Sequence, residues 1–216
     1  MDFEYRLLIQ MRRLGFGDFP LRVVRPIAKR RTLSCLLAEE FVAGESLDDS
    51  IKAAVWEGEE AQLLGKLELL ASFFATFHRK TLRSAQPAVS RICGDLREML
   101  RELESMELGV SDKLEEISHL CDKWEASPFM WPDTACLVHG DATPTNFIFR
   151  EGEGVTAIDL ERVQVADPAY DLGMMVAEIK HHFALRLFRA SASEKYIEHF
   201  FEIYASVFGA PAETFA

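Results

Sequence analysis

Three short apolar runs, each ending on a polar or acidic side chain, crowd into residues 135–161 and restrict what this chain can fold into. Ala135-Cys136-Leu137-Val138 reads as a buried strand, and Phe147–Arg150 and Val155–Asp159 as two more. Glu151-Gly152-Glu153-Gly154 between the last two is a strong turn signal, so the pair should form a hairpin. With Gly152 and Glu153 at its centre, Phe147 should oppose Ile158 and Asn146 should oppose Asp159. An amide and a carboxylate would then meet at the open end of a small sheet. Asp141, five residues before Asn146 and just past the preceding strand, can reach the same mouth. Hard oxygen ligands gathered in this way suit magnesium, which takes few protein ligands and leaves room for substrate phosphates.

The rest of the chain is largely helical. Between Ala61 and His78, residues Leu63, Leu67, Leu70, Phe74 and Phe77 recur at steps of four and three, the stripe of a core-facing helix. Residues 2–14 carry a weaker stripe ended by Gly15 and Gly17, and two extended pieces follow near 21–28 and 33–42. Ser46 can cap a short helix beginning at Leu47. Further helices are predicted over 88–106, 111–125, 168–188 and 192–208, with Ser191 and Glu194 reading as a capping box for the last. Trp124, Phe129, Met130 and Trp131 form an aromatic cluster that is read as core.

Composition narrows the partners. Against 35 acidic side chains stand 24 basic ones, a net charge of −11 that disfavours a nucleic-acid backbone. It is compatible with a cationic substrate, although solubility alone accounts for an acidic surface. No apolar stretch is long enough to cross a bilayer, and residues 1–4 lack a secretory start. Cys35, Cys93, Cys121 and Cys136 form no close-spaced pair, so reduced thiols in a cytoplasmic protein are expected. No Gly-x-Ser-x-Gly elbow occurs, and adjacent His181 and His182 diverge on a helix, which disfavours hydrolase and shared-metal readings.

His139-Gly140-Asp141, Asn146 five residues on, and the later Ile158-Asp159-Leu160-Glu161 resemble the aminoglycoside phosphotransferase and choline kinase family, which shares its core with protein kinases. The resemblance implies an α+β, protein-kinase-like fold dominated by a helical large lobe. It makes Asp141 the catalytic base for the acceptor hydroxyl, Asn146 and Asp159 magnesium ligands with Glu161 beside them, and His139 a structural anchor. Residues 36–47 resemble the hinge strand, with Glu40, Phe41 and Val42 offering main chain to adenine, and Phe73–His78 resembles a family helix. Asp167–Gly173 resembles the segment after the metal site, where Asp171 would brace the catalytic loop. Asp95, Glu98 and Glu102 become candidates for holding a cationic acceptor. Gly140 in place of arginine and the lack of a DFG string point to small-molecule kinases.

The implied activity is transfer from ATP, with Mg²⁺, to a hydroxyl of an amino sugar, amino alcohol or sugar. The chain would act in the cytoplasm as a monomer or homodimer. The family's Gly-rich hairpin and phosphate-gripping lysine should precede the first helix, and Met1 stands at that helix; Lys29 follows Gly15 and Gly17 too closely to replace it. Residues 1–45 are therefore expected to be a small-lobe remnant with hinge, and 46–216 the large lobe. A catalytically silent kinase-like scaffold, or a fragment of an active enzyme, is the alternative.

Overall fold

Helix α3 (Glu60–Lys80) is the axis of the core. Its predicted stripe, Leu63, Leu67, Leu70, Phe74 and Phe77, is buried to 1% exposure or less, and Ala71 and Phe73 widen it. Burying a side chain of this size contributes about 2 kcal/mol, so this one helix supplies much of the drive to fold. A computed structural model describes residues 2–30, 36–85, 89–107, 109–127, 134–187 and 189–209.

The other helices follow in chain order, and the second and the last of the chain pack on α3. Helix α1 (Asp2–Met11) runs into a wider turn over Arg12–Phe16, and Phe16 packs edge-on against Phe73 and Phe77. Helix α2 (Leu47–Trp56) starts as expected at Ser46, whose hydroxyl accepts from the Asp49 N–H at 3.1 Å while the Asp49 carboxylate accepts from the Ser46 N–H at 3.1 Å. Helices α4 (Val89–Ser105) and α5 (Ser111–Ala126) pair with each other over a small cluster of their own, Val89, Cys93 and Cys121. Helix α6 (Ala169–Leu187) and helix α7 (Glu194–Phe208) complete the set, with Ile197, Phe200 and Tyr204 of α7 buried along α3. The capping box expected at Ser191 does not form. A 3₁₀ turn over Ala190–Ser193 precedes α7, and the Ser193 hydroxyl donates back to the Ala190 carbonyl.

The strands are short. They are β1 (Leu21–Val23), β2 (Pro26–Arg30), β3 (Leu36–Glu39), β4 (Glu45–Ser46), β5 (Arg83–Ser84), β6 (Thr134–Val138), β7 (Phe147–Arg150), β8 (Gly154–Ala157) and β9 (Gln164–Ala166). They form a sheet in the order β1-β8-β7-β4, a pair β2-β3, and a sheet β5-β6-β9. The extended piece expected over 21–28 divides: β1 runs parallel to β8, and Pro26 opens β2 in a different sheet, at the start of a strand where a missing N–H does least harm. Leu7, Leu8, Met11, Val23 and Val24 share one continuous core with α3, β7 and β8. Cys35, Phe129, Met130 and Trp131 lie outside the described residues, and Trp124 is half exposed.

The β7–β8 hairpin forms, one residue out of the expected register. Phe147 pairs with Ala157 and Arg150 with Gly154, so the loop has three residues, 151–153, centred on Gly152 in the left-handed region (φ 69°). Asn146 therefore faces Ile158 rather than Asp159, and its carbonyl accepts the Ile158 N–H at 3.0 Å.

Two glycines of this hairpin make a paired test. A Cβ on Gly154 (φ +145°) would sit 2.1 Å from the Pro20 carbonyl oxygen, whereas one on Gly152 would meet no atom within 4 Å. Gly154→Ala should cost about 3 kcal/mol or more in urea denaturation, and Gly152→Asn about 0.5 kcal/mol or less. Equal losses would contradict the close approach of β1 to β8.

Candidate active site

The loop joining β6 to β7 is held from below by one carboxylate. Asp171, fully buried in the first turn of α6, accepts the His139 N–H at 2.6 Å and the Gly140 N–H at 3.0 Å. The same carboxylate lies 3.1 Å from Nε2 of buried His78, whose Nδ1 is 2.9 Å from the Tyr204 hydroxyl. Burial pushes the Tyr204 hydroxyl well above its ordinary range, so it stays a donor. The network ties α3, α6 and α7 to the loop. Thr81, at the end of α3, adds a second tie by accepting the Leu137 N–H at 3.0 Å.

His139 is 1% exposed. Its Nε2 lies 3.0 Å from the Ile158 carbonyl oxygen, which requires Nε2–H, and its Nδ1 then accepts the Asp141 N–H at 3.4 Å. One ring thus links the loop to the end of β8. Gly140 (φ +80°) passes so close to the next segment that a Cβ would lie 2.1 Å from the Arg162 carbonyl oxygen. A side chain as large as arginine has no room there.

Asp141 is half-buried, and its backbone carbonyl accepts the Asn146 side-chain N–H at 2.9 Å. That bond fixes the Asn146 amide, 8% exposed at the end of a 3₁₀ turn, and leaves its Oδ1 as the side-chain atom still to be engaged. Asp159 follows Ile158 in the left-handed conformation (φ 58°, ψ 59°), a sparsely populated state that short Asp side chains tolerate. The shifted register and this turn act together: the carboxylate opposite Asn146 is lost, and Asp159 leaves the strand at an exposed position. Glu161 is also exposed, on the 3₁₀ turn Leu160–Arg162 that packs against α1.

Two more carboxylates stand nearby. Burial raises the pKa of Glu4, and the charges of Glu161 and Asp159 add to the effect. Burial likewise raises Glu39, helped by Glu4 and Asp159, and its Oε1 is enclosed without a hydrogen-bond partner. No Lys or Arg pairs with either acid among the described residues, and Lys29 instead lies 4.9 Å over the Tyr5 ring. Glu39 sits in a run that reads as an apolar strand, so nothing in its local sequence marks it. Its place by Asp159 comes from chain segments over a hundred residues apart.

The remaining candidates are more dispersed. The Glu40 carboxylate pairs with Arg22 and accepts the Arg25 N–H at 2.9 Å. Phe41 is 92% exposed, Val42 is half-buried against the core, and no backbone hydrogen bond among the described residues engages either. Asp95, Glu98 and Glu102 are exposed on α4, and no hydrogen bond or ion pair among the described residues joins them to Asp141, Asn146 or Asp159. The N-terminal half of α4 is nonetheless anchored beside the loop, because Arg91 bonds Gln164.

The donors suit a hard cation. Among the described residues no three His, Cys, Asp or Glu side chains lie close enough to hold a metal by themselves. One amide oxygen with one or two carboxylates is the sparse oxygen set magnesium takes when phosphates complete its shell.

A sequence model of the phosphotransferase enzyme family matches residues 1–213. The chain belongs to that family. Its fold is similar to that of an ethanolamine kinase from Plasmodium vivax (15% identity, TM-score 0.59), covering 100% of this chain and 61% of that one. It is also similar to the aminoglycoside phosphotransferase APH(3'')-Id from Streptomyces rimosus (17% identity, TM-score 0.58; 98% of this chain, 76% of that one), which has been solved with ADP and streptomycin. A third is APH(2")-IIa in a ternary complex with streptomycin and ATP (16% identity, TM-score 0.51; 98% and 81%). The chain thus spans less than two thirds of the ethanolamine kinase's length. No curated protein sequence matches it. The expected α+β, kinase-like and mainly helical fold is the one observed. No helix among the described residues is long and apolar enough to cross a membrane.

The His139 ring generates a pH prediction. Burial depresses its pKa below the usual 6.5, and its two bonds demand the neutral form. The unfolded chain therefore takes up the proton first, so this stability is complete above about pH 6.5 and is lost as pH falls below it. Urea midpoints measured between neutral and mildly acid pH should fall, and His139→Asn, which keeps a donor for Ile158, should flatten that slope. An unchanged slope would contradict the assignment.

Proposed function

We propose that this phosphotransferase moves the γ-phosphoryl group of ATP, with Mg²⁺, to a hydroxyl of a small molecule in the cytoplasm. One observation carries the reading. Asp141 bonds through its carbonyl to Asn146, and Asn146 bonds through its own carbonyl to the residue before Asp159, with His139 and Asp171 bracing all of them.

Roles follow from position. Asp141 orients the acceptor hydroxyl and takes its proton as the oxygen attacks phosphorus. Asn146 Oδ1 and the Asp159 carboxylate would hold Mg²⁺, with Glu161 beside them; the bound ion would neutralise charge on the β- and γ-phosphates. The main chain of Phe41 and Val42, following the clamped Glu40 and without a backbone hydrogen bond among the described residues, would suit the edge of adenine. The acceptor class stays broad: an amino sugar, amino alcohol or sugar. Asp95, Glu98 and Glu102 on α4 would be the acids to meet a cationic acceptor, Asp95 lying one turn after Arg91.

A second reading has one observation in its favour. Among the described residues no lysine or arginine forms an ion pair with Glu4 or Glu39, which fits a kinase-like domain that binds nucleotide weakly or serves as a scaffold.

Thermal shift with ATP separates the two. A ligand at a hundred times its Kd adds about 2.7 kcal/mol, or roughly 5–10 °C for a chain of this size. The shift should require Mg²⁺ and vanish in Asp159→Asn. Asp141→Asn should keep the shift and lower kcat by about 10²–10⁴-fold. No shift at millimolar ATP would overturn the enzyme reading, and binding without turnover would favour the scaffold.

A further inference from the structure

A sizeable cavity lies away from this site. It holds about 770 Å³ and is walled by one face of α3 (Gln62, Gly65, Lys66, Leu69), by Ala43–Glu45, and by the far end of the β7–β8 hairpin from Phe149 to Gly154. Asp141, Asn146, Asp159 and Glu161 do not line it. The hairpin separates the two ends by four residues of strand, about 13 Å. The volume is that of small-molecule sites, which typically span several hundred cubic ångströms.

We propose that this cavity is a second small-molecule site, for a compact amine with a flat apolar body. Four observations select that chemistry. Phe149, only 4% exposed and with Lys66 Nζ 5.8 Å from its ring centroid, and Leu69 give the lining apolar surface for an apolar group. The cations at the wall are already engaged: Lys66 bonds Glu45 at 2.7 Å and Ser50 at 2.7 Å, and Arg150 pairs with Glu153 at 3.2 Å. That leaves the Glu151 carboxylate and the Gln62 amide without partners among the described residues, so the uncommitted groups at the rim favour a positive, hydrogen-bonding ligand. The fourth observation is Gly65. A glycine inside a helix costs about 1 kcal/mol relative to alanine, and here no packing requires it, because a Cβ would meet no atom within 4 Å. Its effect is to keep the α3 wall of the cavity open.

The cavity adjoins a smaller crevice of about 130 Å³, with which it shares Ala43 and Arg150 and which contains Glu40–Val42. A ligand in the larger cavity would therefore bear on the segment leading out of β3. The site itself does not depend on the nucleotide reading and can stand if that reading falls.

Tryptamine is a suitable probe, and glycine amides are the natural reporters in a ¹H–¹⁵N NMR titration of the full chain. Saturable shifts should appear at Gly44, Gly65, Gly152 and Gly154, and Gly140 of the catalytic loop should stay in place. Gly65→Leu, which favours the helix and fills the cavity, should weaken binding about tenfold or more. Gln62→Trp fills it from one turn earlier and should do the same. Glu151→Gln should weaken binding roughly two- to fivefold. Absence of saturation at millimolar tryptamine, shifts centred on Gly140, or unchanged affinity in both filled variants would overturn the site. Unchanged affinity in Glu151→Gln would overturn the choice of an amine.

Discussion

A single buried carboxylate organises this molecule. Asp171 has no exposure to water, and each of its oxygens is committed: one to the Gly140 N–H, the other to the His139 N–H and the His78 ring. A buried charge is tolerable only with such a set of donors, and removing them leaves a penalty of several kcal/mol. The cost is the source of the site's rigidity. Any shift of the loop, of α3 or of α6 would strip a donor from a charge that cannot reach water. His78 joins this frame to Tyr204, so a carboxylate at the start of α6 feels the packing of α7 as well.

From that frame a series of contacts runs outward through main-chain atoms. His139 spans from the loop to Ile158, Asn146 is fixed at both its side chain and its carbonyl, and Asp159 turns out of the strand directly afterwards. Asp141, Asn146 and Asp159 therefore stand on short arms at the ends of hydrogen-bonded elements. Arg162 packs over Gly140 at a distance that admits no Cβ, which seats the 160–162 turn against the loop. Helix α1 meets that turn, so Glu4 comes to lie near Asp159 and Glu161.

Much of this is legible in the sequence, for identifiable reasons. The stripe on α3 repeats over about four turns, a periodicity readable without any distant contact. The Ser46–Asp49 cap depends on residues three apart, so it is readable locally. The hairpin is equally visible, but its register turns on whether Glu151–Glu153 makes a two- or three-residue loop. That choice is settled by Gly154 packing on Pro20, a contact between residues far apart in sequence. The same reason hides Glu39. The Ser191–Glu194 pattern fails because Ser193 bonds Ala190 and starts a tighter turn, a local competition that composition does not resolve. His78 reads as an ordinary satisfied histidine, and its partners Asp171 and Tyr204 are 93 and 126 residues away.

The central claim is that Asn146 and Asp159, held in place by the Asp171 frame, take one divalent cation beside Asp141. Manganese can stand in for magnesium and broadens nearby NMR signals. On adding substoichiometric Mn²⁺, the Asn146 side-chain amide and the backbone amides of Asp141 and Asp159 should broaden first, and Asp159→Asn should abolish the effect. Broadening centred on the acids of α4, or on no defined residues, would contradict the account.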